Sequence, residues 1–198
     1  MATTGTLPEI AAKAVERQHW MAGAEDALQR AVERGLARLG PRRAVIERVL
    51  HGDALGHPLE AVLTDIPMGA WTTAVAFDLL ARISRQSEWE TAARGAIGVG
   101  LAGGLAAGVA GLADWSRLQG AERRIGWAHG MLSGAGWLAF AVSWQRRRRA
   151  GRGRWCALAG LSASLAAAEL GRYLVYQRGV GVRARIPAAA EADRPRAA

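Results

Sequence analysis

Two histidines, His57 and His129, and three acids, Asp65, Asp114 and Glu169, stand in otherwise apolar surroundings. Imidazoles on separate helices can ligate a haem iron axially. An imidazole with carboxylates can instead hold a divalent ion, zinc included. Trp115, Arg124, Arg172 and Tyr173 lie close to these groups in the chain. A plainer reading runs beside both. Arg124 or Arg172 neutralises Asp114 and Glu169 and staples helices together. Asp65 then hydrogen-bonds neighbouring helices, and His57, which precedes Pro58, caps a helix start. The spacing does not choose among these.

The elements that must position these groups are four long apolar segments. They fall at 59–81, 96–115, 125–144 and 155–176. Each has 20 to 23 residues, against the roughly 20 that cross a hydrocarbon core. Residues 96 to 113 contain no charge at all. Trp115, Trp127, Trp144, Trp155, Tyr173 and Tyr176 lie near segment ends, as an interfacial aromatic belt requires. Gly100, Gly104 and Gly108 recur every four residues, and Gly126, Gly130 and Gly134 do the same. Gly160, Ser164 and Gly171 mark the fourth segment. Small residues at this spacing let helices approach closely in lipid. The pattern predicts an all-α, integral membrane four-helix bundle.

Four crossings return the chain to the side it started from. His57 then opens the first span, Asp114 and Trp115 close the second, Arg124 and His129 open the third, and Glu169, Arg172 and Tyr173 close the fourth. All fall toward one leaflet. Asp65 lies eight residues past His57, about 12 Å deeper at a helical rise. Ionisable groups in a bilayer are costly and normally face the bundle interior. The expectation is therefore one polar chamber shared by His57, Asp65, Asp114, Arg124, His129 and Glu169.

Residues 1–55 read differently. The stretch from Leu7 to Leu39 is patterned as one amphipathic helix, interrupted at Pro41. A shorter helix from Arg42 to Leu50 and a turn at His51-Gly52-Asp53 follow. This arm packs against the membrane domain or lies at its interface. His19 and His51 fall outside the spans and read as solvated. The tail, 183–198, has a composition that favours disorder.

The net charge is +9 and all basic residues but Lys13 are arginine. The densest basic cluster, Arg146 to Arg149 with Arg152 and Arg154, fills a short gap between apolar runs. That is the place of a membrane loop, so nucleic acid is not the expected partner. A lone Cys156 excludes an intramolecular disulfide or a cysteine-built metal cluster. Glu9, Lys13, Glu16 and Arg17 interrupt any signal-peptide core. Nine arginines flank the spans on each side; the unexported arm favours cytoplasmic termini, and the Arg-dense short loop argues the other way. No nucleophile motif or phosphate loop is present, and the reading leans away from an enzyme.

The run LGHPLEAVLTDIPMGAW, with Leu50-His51-Gly52 before it and Asp78 after it, resembles a bacterial membrane family known as domain of unknown function number 2231. The family pattern is LGHPLHPxLxDxPxGxW. Its later marks have counterparts in Gly111 to Trp115, Arg124, His129 and Leu170 to Tyr176. The resemblance covers about 50–182. It implies a multi-pass protein of the bacterial cytoplasmic membrane, of undefined activity. Some relatives carry a Rieske-type domain, which points to redox work beside a partner protein and ranks haem b ahead of a divalent metal. Two family histidines are replaced here, by Glu60 and by Arg172-Tyr173 in the closing segment. Glu60 and Tyr173 remain able to ligate a metal. The functional expectation is a redox-associated, haem-binding membrane subunit with His57 and His129 as ligands. The alternative is a structural or partner-binding scaffold without a cofactor.

Overall fold

The computed structural model describes residues 6–150 and 153–181. The tail expected at 183–198 lies outside them. Among the described residues there are seven α-helices and no strand. Three short helices come first: α1 (Leu7–Glu16), α2 (Ala22–Ala37) and α3 (Arg43–Leu50). Four long ones follow: α4 (Leu59–Ser84), α5 (Ser87–Trp115), α6 (Gly120–Ala150) and α7 (Arg154–Tyr176). Each of the four apolar segments lies within one long helix and is overrun by it at one or both ends.

The long helices form two hairpins. α4 packs mainly on α5, and α6 mainly on α7; α5 meets α6 and α4 meets α7 less extensively. The core between the hairpins is built on Trp71 and Phe140, whose rings stack with centroids 4.4 Å apart and planes 11° from parallel. Ala74, Ile97 and Ala157 complete it. Small residues make this crossing feasible. A Cβ on Gly100 would come within 2.3 Å of the Trp71 indole. One on Gly136 of α6 would meet Ser164 Oγ at 2.5 Å and the Gly160 carbonyl oxygen at 3.1 Å on α7. Gly108, Gly130 and Gly134 face open space instead. The four-residue repeats therefore overstate the contact, and Gly136 carries what Gly134 was expected to carry.

Among the described residues, one helix, α5, is long and apolar enough to cross a bilayer by length and composition. α4, α6 and α7 are as long or nearly so, but carry charged and polar residues among their apolar positions.

The arm departs from the expected single helix. It breaks at a 3-10 turn, His19–Met21, between α1 and α2. The reason is geometric. Ala12 of α1 is fully buried with Ile125, Leu170 and Leu174 of α6 and α7. α2 instead lies across the α5–α6 turn, where the Gln29 side-chain amide donates to the carbonyls of Ser116 and Leu118 at 3.1 and 3.0 Å. A straight helix over Leu7 to Leu39 would run about 50 Å and could not make both contacts. Arg123 fixes α2 in place by donating to Glu25 at 2.9 Å and to Asp26 at 2.7 Å. Arg178, just past α7, pairs with Glu16 at the end of α1. The interruption at Pro41 and the short α3 are as the sequence suggests.

Candidate functional site

The chain enters α4 through a turn that only glycine fits. Gly52 has φ +65° and Gly56 φ +74°, backbone that L-residues with a Cβ rarely adopt. A Cβ on Gly52 would also lie 2.1 Å from the carbonyl oxygen of His57. This tight return folds His51 back against the C-terminal end of α5. His51 is buried, and its Nδ1 sits 2.5 Å from Oδ1 of Asp114. The imidazole N–H donates to the carboxylate, a charge-assisted bond. Oδ2 of Asp114 is buried with no hydrogen-bond partner among the described residues.

One turn back along α5, Gly111 leaves room for the Glu60 side chain from the first turn of α4. A Cβ there would meet the Glu60 carboxyl at 2.9 Å. Glu60 Oε1 faces His129 Nε2 at 3.6 Å. His129, in the first third of α6, donates from Nδ1 to the Ala167 carbonyl oxygen of α7 at 2.8 Å. That bond assigns the tautomer and leaves Nε2 directed toward Glu60. Gly171 completes the setting, because a Cβ there would press on the His129 ring at 3.1 Å. Four helices and the arm turn thus converge on two carboxylate–imidazole pairs, His51–Asp114 and Glu60–His129, at one end of the bundle.

The other residues singled out in the sequence lie elsewhere. His57 is exposed on the lead-in turn, its Nδ1 3.3 Å from the Pro58 carbonyl oxygen. Asp65 is exposed on the outward face of α4, not in a shared chamber. Arg124 reaches the arm, with Nη1 2.7 Å from His19 Nδ1, and neutralises neither acid. Arg172 does pair with Glu169, but on the exposed face of α7. Trp115 is buried and donates from its indole to the Arg123 carbonyl oxygen at 2.8 Å, closing the α5–α6 turn. Tyr173 packs with Leu170 and Leu174, under the Arg178 guanidinium. His51, read as solvated, proves central. The signal for it was the following Gly52, in a turn just ahead of a long helix.

These positions test the cofactor expectation. His57 and His129 share no partner. His129 spends Nδ1 on Ala167 and turns Nε2 to Glu60, while His57 stands outside the bundle. The two do not fit a bis-histidine haem. Among the described residues, no three His, Cys, Asp or Glu side chains gather as metal ligands. What the arrangement offers is titratable groups in series, two neighbouring acids with an imidazole at either end.

Comparison with known proteins bears on the context. The family model described as "Predicted membrane protein (DUF2231)" matches residues 56–184. No curated protein and no solved structure matches. The match spans well over half of the chain, which belongs to this family of predicted membrane proteins and is associated with a lipid bilayer.

Proposed function

We propose that this member of the DUF2231 family is a four-span integral membrane subunit that passes protons across the bilayer, with the paired carboxylates and imidazoles as its entrance at one leaflet. The observation that carries the reading is the series His51–Asp114 and Glu60–His129, with the Glu60 carboxyl packed on Gly111, one helical turn from Asp114 on α5. In such a series a proton taken up at His51 Nε2 releases the Nδ1 proton to Asp114 and leaves the ring neutral. Glu60 exchanges with the His129 Nε2 lone pair, while the Ala167 carbonyl holds the ring in register. The intervening transfer runs between the Asp114 and Glu60 carboxylates, which lie against successive turns of α5. Ionisable groups at membrane depth mark such relays.

Support for four spans, in place of one, comes from the outer surface. Leu79 and Ile83 on α4, Leu105 on α5, Met131 and Leu138 on α6 and Leu165 on α7 are all more than half exposed. Scattered exposed apolar residues are ordinary in soluble proteins, but a belt on all four long helices suits lipid. In this reading 56–182 is the membrane domain and 1–55 the arm. It sits in the bacterial cytoplasmic membrane with cytoplasmic termini, beside a redox partner whose turnover consumes or releases protons. Haem on His57 and His129 has no part in it.

A second reading, a partner-binding scaffold without a cofactor, is favoured by one observation: the ion pairs Arg123–Glu25, Arg178–Glu16 and Asp78–Arg147 staple the arm and the hairpins together. The discriminating experiment uses the purified chain in liposomes loaded with a pH-sensitive dye, under a potassium diffusion potential. The relay reading expects proton entry above that of empty liposomes, cut at least tenfold by Glu60→Gln. No entry in the parent protein rejects it and leaves the scaffold.

A further inference from the structure

At the end of the bundle opposite the paired imidazoles, a cavity of about 160 Å³ opens between α5, α6 and α7. It is lined by Ser87, Glu90, Thr91, Arg94, Arg147 and Arg154. We propose that this cavity binds a phosphate group, in the form of the phosphodiester of an anionic phospholipid headgroup.

Three arginines from three helices meet here, and their charge is only partly consumed. The Arg147 side chain is 7% exposed and donates to both oxygens of Asp78 at 2.6 and 2.5 Å, with Nε on Ser143 Oγ at 3.1 Å. Arg154 pairs with Glu90, and its Nε lies 3.8 Å from Asp78. Arg94 is exposed and has no ion-pair partner among the described residues. Three guanidinium groups against two carboxylates leave one positive charge uncompensated, which matches a phosphodiester monoanion. Arg147 and Arg154 retain N–H groups beyond those spent on the acids. Ser87 at the start of α5 adds a hydroxyl, Thr91 one turn on donates its own to the Ser87 carbonyl oxygen at 3.5 Å, and the helix start has no side-chain cap from Gln86. Free N–H groups and the positive end of the helix dipole favour an anion there. Basic pockets between helices at a bilayer surface recognise lipid headgroups in this way. The interior ion pairs pre-set the guanidinium forks, so binding orders few side chains.

The source of the phosphate is separable by experiment. The full chain is placed in nanodiscs of phosphatidylcholine alone or with phosphatidylglycerol. In a third arm, inorganic phosphate is added to the phosphatidylcholine sample at constant ionic strength. Thermal unfolding is followed by tryptophan fluorescence. The expected result is a higher midpoint with phosphatidylglycerol than with phosphatidylcholine. Arg94→Gln should raise the phosphatidylglycerol content needed for half the effect roughly tenfold, while Arg82→Gln, exposed at the same end but outside the cavity, should leave it unchanged. An equal effect from inorganic phosphate, lost in Arg94→Gln, keeps the phosphate site but overturns the lipid as its source. Equal loss in both variants, or no response to either anion, overturns the site.

Discussion

Nε2 of His129 lies 3.6 Å from Oε1 of Glu60, which ties the first third of α6 to the first turn of α4. Glu60 stands where the resembled pattern has a histidine, and it is a carboxylate that faces the His129 imidazole here. Glu60→His should retain the fold but remove the carboxylate. In the liposome assay it should behave like Glu60→Gln, with proton entry down at least tenfold. Entry at the parental rate would show that the carboxylate is not in the path.

His51 and Asp114 are joined at 2.5 Å with His51 buried. His51→Ala strands the Asp114 carboxylate against the end of α5. The expected loss is about 1–3 kcal/mol, the cost of leaving a buried polar group unpaired. Asp114→Asn retains a carbonyl oxygen for the His51 N–H and should cost less. Denaturant titration of both variants in detergent checks the order.

Gly171 is the floor beneath the His129 ring, at 3.1 Å from a notional Cβ. Gly171→Val forces the ring or the α6–α7 contact to move, at about 1–3 kcal/mol for an overpacked site. It should also lower proton entry, because the Ala167 hydrogen bond that orients the ring is strained. Gly108→Val, where nothing lies within 4 Å, is the matched control and should do neither.

The buried pair Asp78–Arg147 joins α4 to α6 at the far end. Arg147→Met alone leaves the buried Asp78 carboxylate with only the looser contact to Arg154 at 3.8 Å, and about 3 kcal/mol should be lost. The double variant Asp78→Leu with Arg147→Met should recover most of that loss. If it does not, the pair contributes more than removal of mutual desolvation explains.

Acid should loosen the arm locally. Arg43 donates to Glu33 at 2.7 and 3.1 Å, and also to Glu47 at 3.1 Å. The hydrogen bonds from Arg43 hold the Glu33 carboxyl below its ordinary value. A depressed folded-state value gives a contribution that is present above the unfolded value and lost as pH falls through the folded one. Amide exchange in α3 should therefore rise below the usual glutamate range, roughly pH 4, and rise less in Glu33→Gln, which has already lost the pair. Because Glu33 is exposed, the effect should shrink with added salt.

Much of the helix pattern was legible because runs of 20 or more apolar residues have few alternatives to a helix. Two features were not. The break between α1 and α2 carries no proline or glycine; it is imposed by where Ala12 and Glu25 must dock, which is tertiary information. The facing of α4 was also hidden. Its residues are apolar on most sides, so periodicity does not say whether Asp65 looks inward or outward, and it looks outward. For the candidate site, His129 and Asp114 were picked out by their charge within apolar segments, but their partners were not. Pairing His51 with Asp114 depends on a glycine turn that brings together residues 63 apart in the chain. The resemblance put a histidine in Glu60's place, and so drew attention to the position without revealing that it faces His129.

The account rests on lipid around all four long helices, and spin labels measure this directly. In a Cys156→Ala background, single cysteines replace Leu79, Leu105, Leu138 and Leu165, outward-facing residues on α4 to α7. Collision of each label with oxygen and with a water-soluble nickel chelate is then compared in liposomes. The account expects oxygen to dominate at all four positions. Dominance of the chelate at Leu79, Leu138 and Leu165, with oxygen favoured at Leu105 alone, would leave a single membrane span and contradict it.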